Sequence, residues 1–275
     1  MNALHRGWAW VKEHLVLTLG LLVLAYMYVP NVVVALMSFN DASESRNLYR
    51  FQSFTWDNWL NPCAPAGMCE SVLRSIEIGL LATVVATTLG TLAAFALVRH
   101  RFRGRGGMNL VLFLPMASPE IVMGSSLLAL FVASGFGGKL GFWTILIAHV
   151  MFCLSFVVVT VKSRLGGLDA SLEQAAADLY ATEFQTFWRV TLPLVMPGIL
   201  GAALLSFSLS FDDFIITNLN AGQTVTFPMY VWGAAQRGVP MQVNVVGTVM
   251  FVVAVAVVLV GEAGARRRRR LLEAA

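Results

Sequence analysis

Leu172-Glu173-Gln174-Ala175-Ala176-Ala177-Asp178-Leu179-Tyr180-Ala181, closed further on by Leu192-Pro193 and Pro197-Gly198-Ile199, is a polar, helix-forming stretch between two apolar blocks. Leu172, Ala175, Ala176 and Leu179 stand at i, i+3, i+4 and i+7, one apolar face of a helix. Asp169 or Ser171 is placed to cap it, and Glu173 in its first turn suits the positive end of the helix dipole. A second short helix carries Phe184, Phe187, Trp188 and Val190 until Pro193 interrupts it. A loop that only joined two membrane spans would need neither helix. An amphipathic pair lying flat on a membrane surface is the other use of the same pattern.

The blocks on either side belong to a chain of 275 residues, 57% of them hydrophobic and 12% charged. A soluble domain carries roughly 25% charged residues. Apolar runs long enough to cross hydrocarbon, which takes about 20 residues of helix, fall at 15–37, 72–98, 108–133, 141–161, 195–219 and 243–262. Backbone groups in lipid must be paired internally, so each run reads as a helix. The expectation is one all-α integral membrane domain over residues 1–275, with six transmembrane helices and 162–194 as its longest inner loop. The first run lacks a small-residue cleavage site and is too long for a signal-peptide core, so it reads as retained. Pro115 and Pro119 leave carbonyls unpaired and are expected to break or kink the third span.

Positive charge sets the orientation. With both termini inside, the inner stretches hold Arg6, Lys12, Arg99, Arg101, Arg103, Arg105, Lys162, Arg164, Arg189 and Arg266 to Arg270, 14 of the 19 Lys and Arg residues. That bias follows the positive-inside rule. The run Arg266–Arg270 reads as a stop-transfer anchor or as an anionic-lipid site. The outer loop 38–71 carries Phe39, Phe51, Phe54, Trp56 and Trp59, ring types that mark the water–lipid boundary. Cys63 and Cys69 lie in it, where an oxidising exterior permits a disulfide and two free thiols remain the alternative. Cys153, inside the fourth span, reads as a small core residue.

Other patterns exclude functions. Arg99-His100-Arg101-Phe102-Arg103-Gly104-Arg105 is too short and too tightly wedged between spans for a nucleic-acid patch and serves topology. Gly135-Phe136-Gly137-Gly138-Lys139 lacks the spacing of a nucleotide-binding loop. No H-E-x-x-H pattern, no Ser/His/Asp arrangement and no metal cluster is legible, so no catalytic residue is assigned.

Three carboxylates fall inside spans: Glu120, Asp212 and Asp213. An Asp near a helix centre costs about 2.5–3.5 kcal/mol in lipid, so such groups face a cavity or a partner. Ser206, Ser210, Asp213 and Thr217 form a polar stripe on one continuous helix, which aims Asp213 at a pathway or companion subunit and Asp212 toward Ser208 and a neighbouring helix. His149 reads as a structural hydrogen-bonding group.

Glu173-Gln174-Ala175-Ala176, Asp178-Leu179, Phe187, Val190-Thr191-Leu192-Pro193 and Pro197-Gly198-Ile199 keep the order and spacing of the EAA loop, and the chain resembles the permeases of ABC importers. Gln174 replaces a glutamate of that pattern and Tyr180 a glycine. A tyrosine does not adopt positive φ cheaply, so the turn is expected to be built differently or the helix to run on. Leu114-Pro115, Ser118 to Gly124, Ala148 to Phe152 and Leu209 to Phe214 look like the spermidine/putrescine branch, over nearly the whole chain from the first span onward.

The resemblance implies a type I importer permease in the bacterial inner membrane, working by alternating access. Glu173, Gln174, Ala175, Ala176, Asp178, Leu179 and Tyr180 would press on a cytoplasmic pair of ABC ATPase subunits that bind ATP-Mg, this chain holding no cofactor. A second, different permease, an external solute-binding protein and membrane lipid complete the partners, with no nucleic acid. For a polycation leaving water, Asp213, Glu120 and Asp212 would supply replacement negative charge along the pathway. The rivals are an importer of another small solute and an ion-gradient-driven transporter with Glu120 or Asp213 as its proton site.

Overall fold

The computed structural model describes the backbone of residues 2–41, 50–169 and 171–273, and the side chains of 14–41, 50–169, 171–261, 263 and 264. Arg46 and the side chains of Arg266–Arg270 lie outside the described residues. Two compact units emerge, Met1–Cys69 with Gly233–Ala275, and Glu70–Trp232.

In the first unit, α1 (Asn2–Met37) packs along α12 (Met241–Glu273), with Tyr28 edge-on to Phe251 at 5.9 Å. Between them β1 (Asn40–Asp41) pairs antiparallel with β2 (Ser53–Phe54), and α2 (Asp57–Leu60) follows. Asparagine side chains satisfy the irregular backbone here. Asn58 Nδ2 donates to the carbonyls of Ser38 (3.1 Å) and Asn40 (2.9 Å), and Asn40 Oδ1 accepts from the amide of Gln52 (2.7 Å). Phe39 sits among Phe54, Trp56 and Trp59 at ring distances of 5.4, 5.0 and 5.4 Å. Cys63 and Cys69 are joined by a disulfide, their Cα atoms 5.4 Å apart.

The long helix α3 (Met68–Arg99) leads through the second unit. After it come α4 (Arg105–Ala117), α5 (Glu120–Ala133), α6 (Phe142–Gly166), α7 (Ser171–Asp178), α8 (Glu183–Thr186), a π-turn (Phe187–Thr191), α9 (Leu192–Asp212), α10 (Ile215–Asn220) and α11 (Phe227–Ala235). α6 is apolar all round and central. Ala148, Cys153, Val157 and Val161 are sealed from solvent among α3, α5 and α9 residues such as Leu97, Met123 and Val195. At Gly124, α5 approaches α10 so closely that a Cβ would stand 3.2 Å from Ile216 Cα.

Among the described residues, five helices are long and apolar enough to cross a membrane, and α4 with α5 make a sixth candidate bent by 109° at Ser118-Pro119. Contacts of the bent pair run from one end of α6 to the other, directly at its last turns and through Asn220 at its first, which fits a broken crossing. Near the start of α4, Asn109 Oδ1 accepts from Lys162 Nζ at 2.7 Å, by the last turns of α6. In α5, the Gly124 carbonyl accepts from Asn220 Nδ2 at 3.1 Å, and the Asn220 carbonyl accepts from Thr144 Oγ1 (2.7 Å) in the first turn of α6. The expected break at the prolines is therefore present within a six-crossing chain.

Two boundaries depart from expectation. Pro193 does not interrupt the helix. It sits in the first turn of α9, where its missing amide matters little, and the chain widens into the π-turn just before it. The fifth span does not run unbroken to 219. α9 ends at Asp212, Asp213 is extended (φ −65°, ψ 125°), and α10 starts afresh at Ile215.

Candidate functional site

The loop between α6 and α9 is held by side chains. Asp169 Oδ1 accepts from the Ser171 amide at 2.9 Å, which covers an orphan donor at the start of α7 and holds the Asp169 carboxyl below its usual range. Glu173, one turn in, faces its own chain. Arg99 Nη1 donates to its Oε2 at 2.6 Å and Nη2 to its Oε1, a two-pronged pair across 74 residues, and Thr191 Oγ1 donates to Oε1 at 2.6 Å. Both partners are partly shielded, with side chains 35% (Arg99) and 27% (Glu173) exposed. Sequence reading assigned Arg99 to topology alone, and no local signal joins it to Glu173.

α7 closes by a route that corrects the expectation at Tyr180. The Ala181 amide donates to the Ala176 carbonyl (3.1 Å) and the Tyr180 amide to the Ala177 carbonyl (2.9 Å), the two bonds of a Schellman cap. Tyr180 stands at its left-handed position with φ +58°. The turn is built as the glycine version would be, at a cost of about 1–2 kcal/mol for a side chain in that region. Thr182 then opens α8 with a capping box: its Oγ1 accepts from the Gln185 amide (3.3 Å) and its amide donates to Gln185 Oε1 (3.0 Å).

This corner leaves the apolar face of α7 uncovered. Leu172, Leu179 and Tyr180 are 46%, 82% and 96% exposed, and Phe184 and Trp188 beyond them are exposed as well. Gln174, Ala175 and Asp178 are also exposed, and Ala176 is half-buried. Behind the exposed face, Arg99, Glu173, Ala177, Glu183, Phe187 and Thr191 line a cleft of ≈ 470 Å³.

The three carboxylates separate. Asp213 is buried, and it caps α10: Oδ2 accepts from the amide (2.7 Å) and hydroxyl (2.8 Å) of Thr217, and Oδ1 from the Ile216 amide (3.4 Å). His149 Nε2 lies 2.8 Å from Thr217 Oγ1 and 3.4 Å from Asp213 Oδ2, and Nδ1 lies 2.6 Å from Ser210 Oγ. Because the Thr217 hydroxyl donates to Asp213, it accepts from His149 Nε2–H, and Nδ1 and the Ser210 hydroxyl share the second hydrogen bond. A Ser, a His and an Asp thus meet where the sequence showed no such arrangement. With Ser210, His149 and Asp213 at 3%, 1% and 7% exposure, the cluster is sealed and acts as a brace between α6, α9 and α10.

Asp212 and Glu120 are exposed. Asp213 thus turns inward, against the expected stripe, and Asp212 is exposed, because the break after Asp212 uncouples them from a single helix. Glu120 is the first residue of α5, where the helix dipole favours a carboxylate, and Asp212 is the last of α9, where the dipole opposes one. The negative charges of Asp213 and Glu120 both bear on Asp212. Among the described residues, neither Glu120 nor Asp212 has an ion-pair partner.

Residues 86–266 match the family of the binding-protein-dependent transport system inner membrane component. The chain belongs to this family. Its relatives include the spermidine/putrescine transport system permease protein PotC of Haemophilus influenzae, 36% identical over 87% of this chain and 92% of that one. The putrescine transport system permease protein PotI of Escherichia coli (strain K12) is 37% identical over 84% of this chain and 83% of that one. The crystal structure of a bacterial ABC transporter involved in the import of the acidic polysaccharide alginate shares the fold, with a TM-score of 0.61, 18% identity, and coverage of 97% of this chain and 98% of that one. The permease is an all-α membrane subunit of an ABC importer, a transport component and not an enzyme, and ATP hydrolysis belongs to a separate subunit.

Proposed function

We propose that this permease carries polyamines such as spermidine and putrescine across the inner membrane, driven by ATP hydrolysis in partner ATPases. The observation that carries the substrate class is Asp212. An exposed carboxylate at the negative end of α9, next to buried Asp213 and with no ion-pair partner among the described residues, suits a mobile cation. Names of relatives at 36–37% identity point the same way. Glu120 and Asp212 supply negative charge along the pathway, and Asp213 with His149 keeps its break in shape.

The uncovered face of α7, with Gln174, Ala175, Leu179 and Tyr180, is the contact for a cytoplasmic ATPase pair, and Glu173 and Ala176 set its angle. An oxidising exterior at Cys63–Cys69 supports a cytoplasmic α7, because Cys69 and Arg99 stand at opposite ends of α3, and the positive-inside bias supports cytoplasmic termini. A second, different permease completes the pathway and an external binding protein delivers solute. ATP-driven closure of the ATPases pushes on α7 and opens the cavity outward, and hydrolysis resets it.

The test is uptake and ATP hydrolysis in vesicles containing the permease, its companion permease, the ATPase and the binding protein. Spermidine or putrescine should stimulate both. Stimulation by a different solute keeps the importer and removes the polyamine, and uptake independent of ATP removes the importer mechanism.

A further inference from the structure

Among the described residues, four links connect α7 to the membrane helices, and they differ in stiffness. The covalent link to α6 runs through Gly166-Gly167, a pair without Cβ atoms and with the widest backbone freedom. It transmits little. α9 is linked twice: covalently, through the capped corner at Tyr180 and Thr182 into α8 and the π-turn, and by the Thr191 hydroxyl on Glu173 at the end of that turn. The link to α3 is the Arg99 fork on the same carboxylate. One turn earlier on α3, Phe95 packs edge-to-face on Phe187 with ring centres 5.4 Å apart. Two successive turns of α3 therefore grip the loop, and only the Arg99 contact reaches α7 itself.

We propose that Arg99 is the positioning residue through which the coupling helix α7 moves α3. A planar guanidinium held by both oxygens of one carboxylate fixes distance and angle together, which a single contact or a lysine does not do. A push on α7 is then resolved into α3 through Arg99 and into α9 through Thr191, while Gly166-Gly167 absorbs the change at α6. Within this chain Glu173 is the hub of these two links. The proposal rests on α7 being the ATPase contact.

The experiment compares wild type with Arg99→Glu, Arg99→Lys, Glu173→Arg and the charge-swapped double variant Arg99→Glu/Glu173→Arg. Each is assembled with its ATPase, companion permease and binding protein in vesicles. Two quantities are read: the ATPase retained on the purified permease, and spermidine taken up per ATP hydrolysed. Arg99→Glu should lower uptake per ATP by roughly tenfold, within the usual range of coupling between sites, while the ATPase stays bound. Arg99→Lys should fall between it and wild type. The double variant should recover most of the ratio. Wild-type ratios in both Arg99 variants would overturn the proposal. So would a double variant no better than Glu173→Arg, because Glu173 would then be serving another partner. Should Arg99→Glu not accumulate, Arg99→Lys and the double variant decide alone. A wild-type complex whose uptake ignores ATP would remove the coupling reading and this proposal with it. Coupled wild type with unaffected variants removes this proposal only.

Discussion

His149 Nε2 and Asp213 Oδ2 lie 3.4 Å apart, sealed in the interior, with the Thr217 hydroxyl bridging them. The relationship joins three helices at one point. α6 supplies the imidazole, the end of α9 the carboxylate and Ser210, and α10 the hydroxyl. An extended residue between two helices leaves amides without partners, and here a carboxylate takes them up.

Removing the imidazole should loosen that joint. His149→Ala leaves Ser210, Thr217 and Asp213 short of partners, a loss of about 3 kcal/mol for a buried polar group and its pair. The purified permease should unfold at a lower temperature and accumulate poorly. His149→Gln, which can still bridge two hydroxyls, should recover part of the loss. A wild-type melting curve for His149→Ala would show the joint to be dispensable.

Neighbouring aspartates should fail differently. Asp213→Asn removes a cap and should reduce the amount of folded permease. Asp212→Asn should leave the fold intact and reduce spermidine uptake by roughly tenfold, the factor for about 1.4 kcal/mol of lost charge attraction. Glu120→Gln should resemble Asp212→Asn. Initial rates normalised to permease content check all three, and equal rates for Asp212→Asn and wild type would take Asp212 off the pathway.

Tyr180→Gly relieves a left-handed tyrosine, an easing of about 1 kcal/mol, and removes a ring that is 96% exposed. Protease sensitivity of the α7 corner should stay at or below wild type. Under the proposed docking of α7, ATPase affinity should drop several-fold. Unchanged affinity would leave Tyr180 with a backbone role only.

The Cys63–Cys69 bridge closes a short loop, six residues apart, so its loop-closure contribution is only about 2 kcal/mol. Uptake should survive its reduction. A membrane-impermeant reductant on right-side-out vesicles should expose both thiols to alkylation, read by mass. Cys153, buried, should stay unlabelled until denaturation. Labelling only in inside-out vesicles would reverse the orientation.

The spans and the proline break were legible because lipid imposes length and apolarity on each crossing and Pro115 and Pro119 withhold donors. The break after Asp212 was hidden by periodicity. Ser206, Ser210, Asp213 and Thr217 continue in helical phase, and apolar neighbours hide the capping role of Asp213. Tyr180 was unreadable because its turn is fixed by two backbone bonds that override a side chain's preference. The Arg99 fork joins residues 74 positions apart, beyond any local pattern. The face of α7 was found correctly as apolar, and its outward aim follows from Glu173 being tied inward.

The π-turn at Phe187–Thr191 fixes a rotational phase. Its closing bond runs from the Leu192 amide to the Phe187 carbonyl, so the turn holds one residue more than an α-helical turn would. Pro193, just after it, has no amide hydrogen with which to tighten the wind. Winding the same five residues as α-helix would instead turn α9 by about 100° relative to the loop and swing Thr191 away from Glu173. The wide turn therefore takes up one residue of slack: a chain one residue shorter here would close into an ordinary α-turn and keep the same side of its fifth crossing toward its neighbours, whereas rewinding at full length would not.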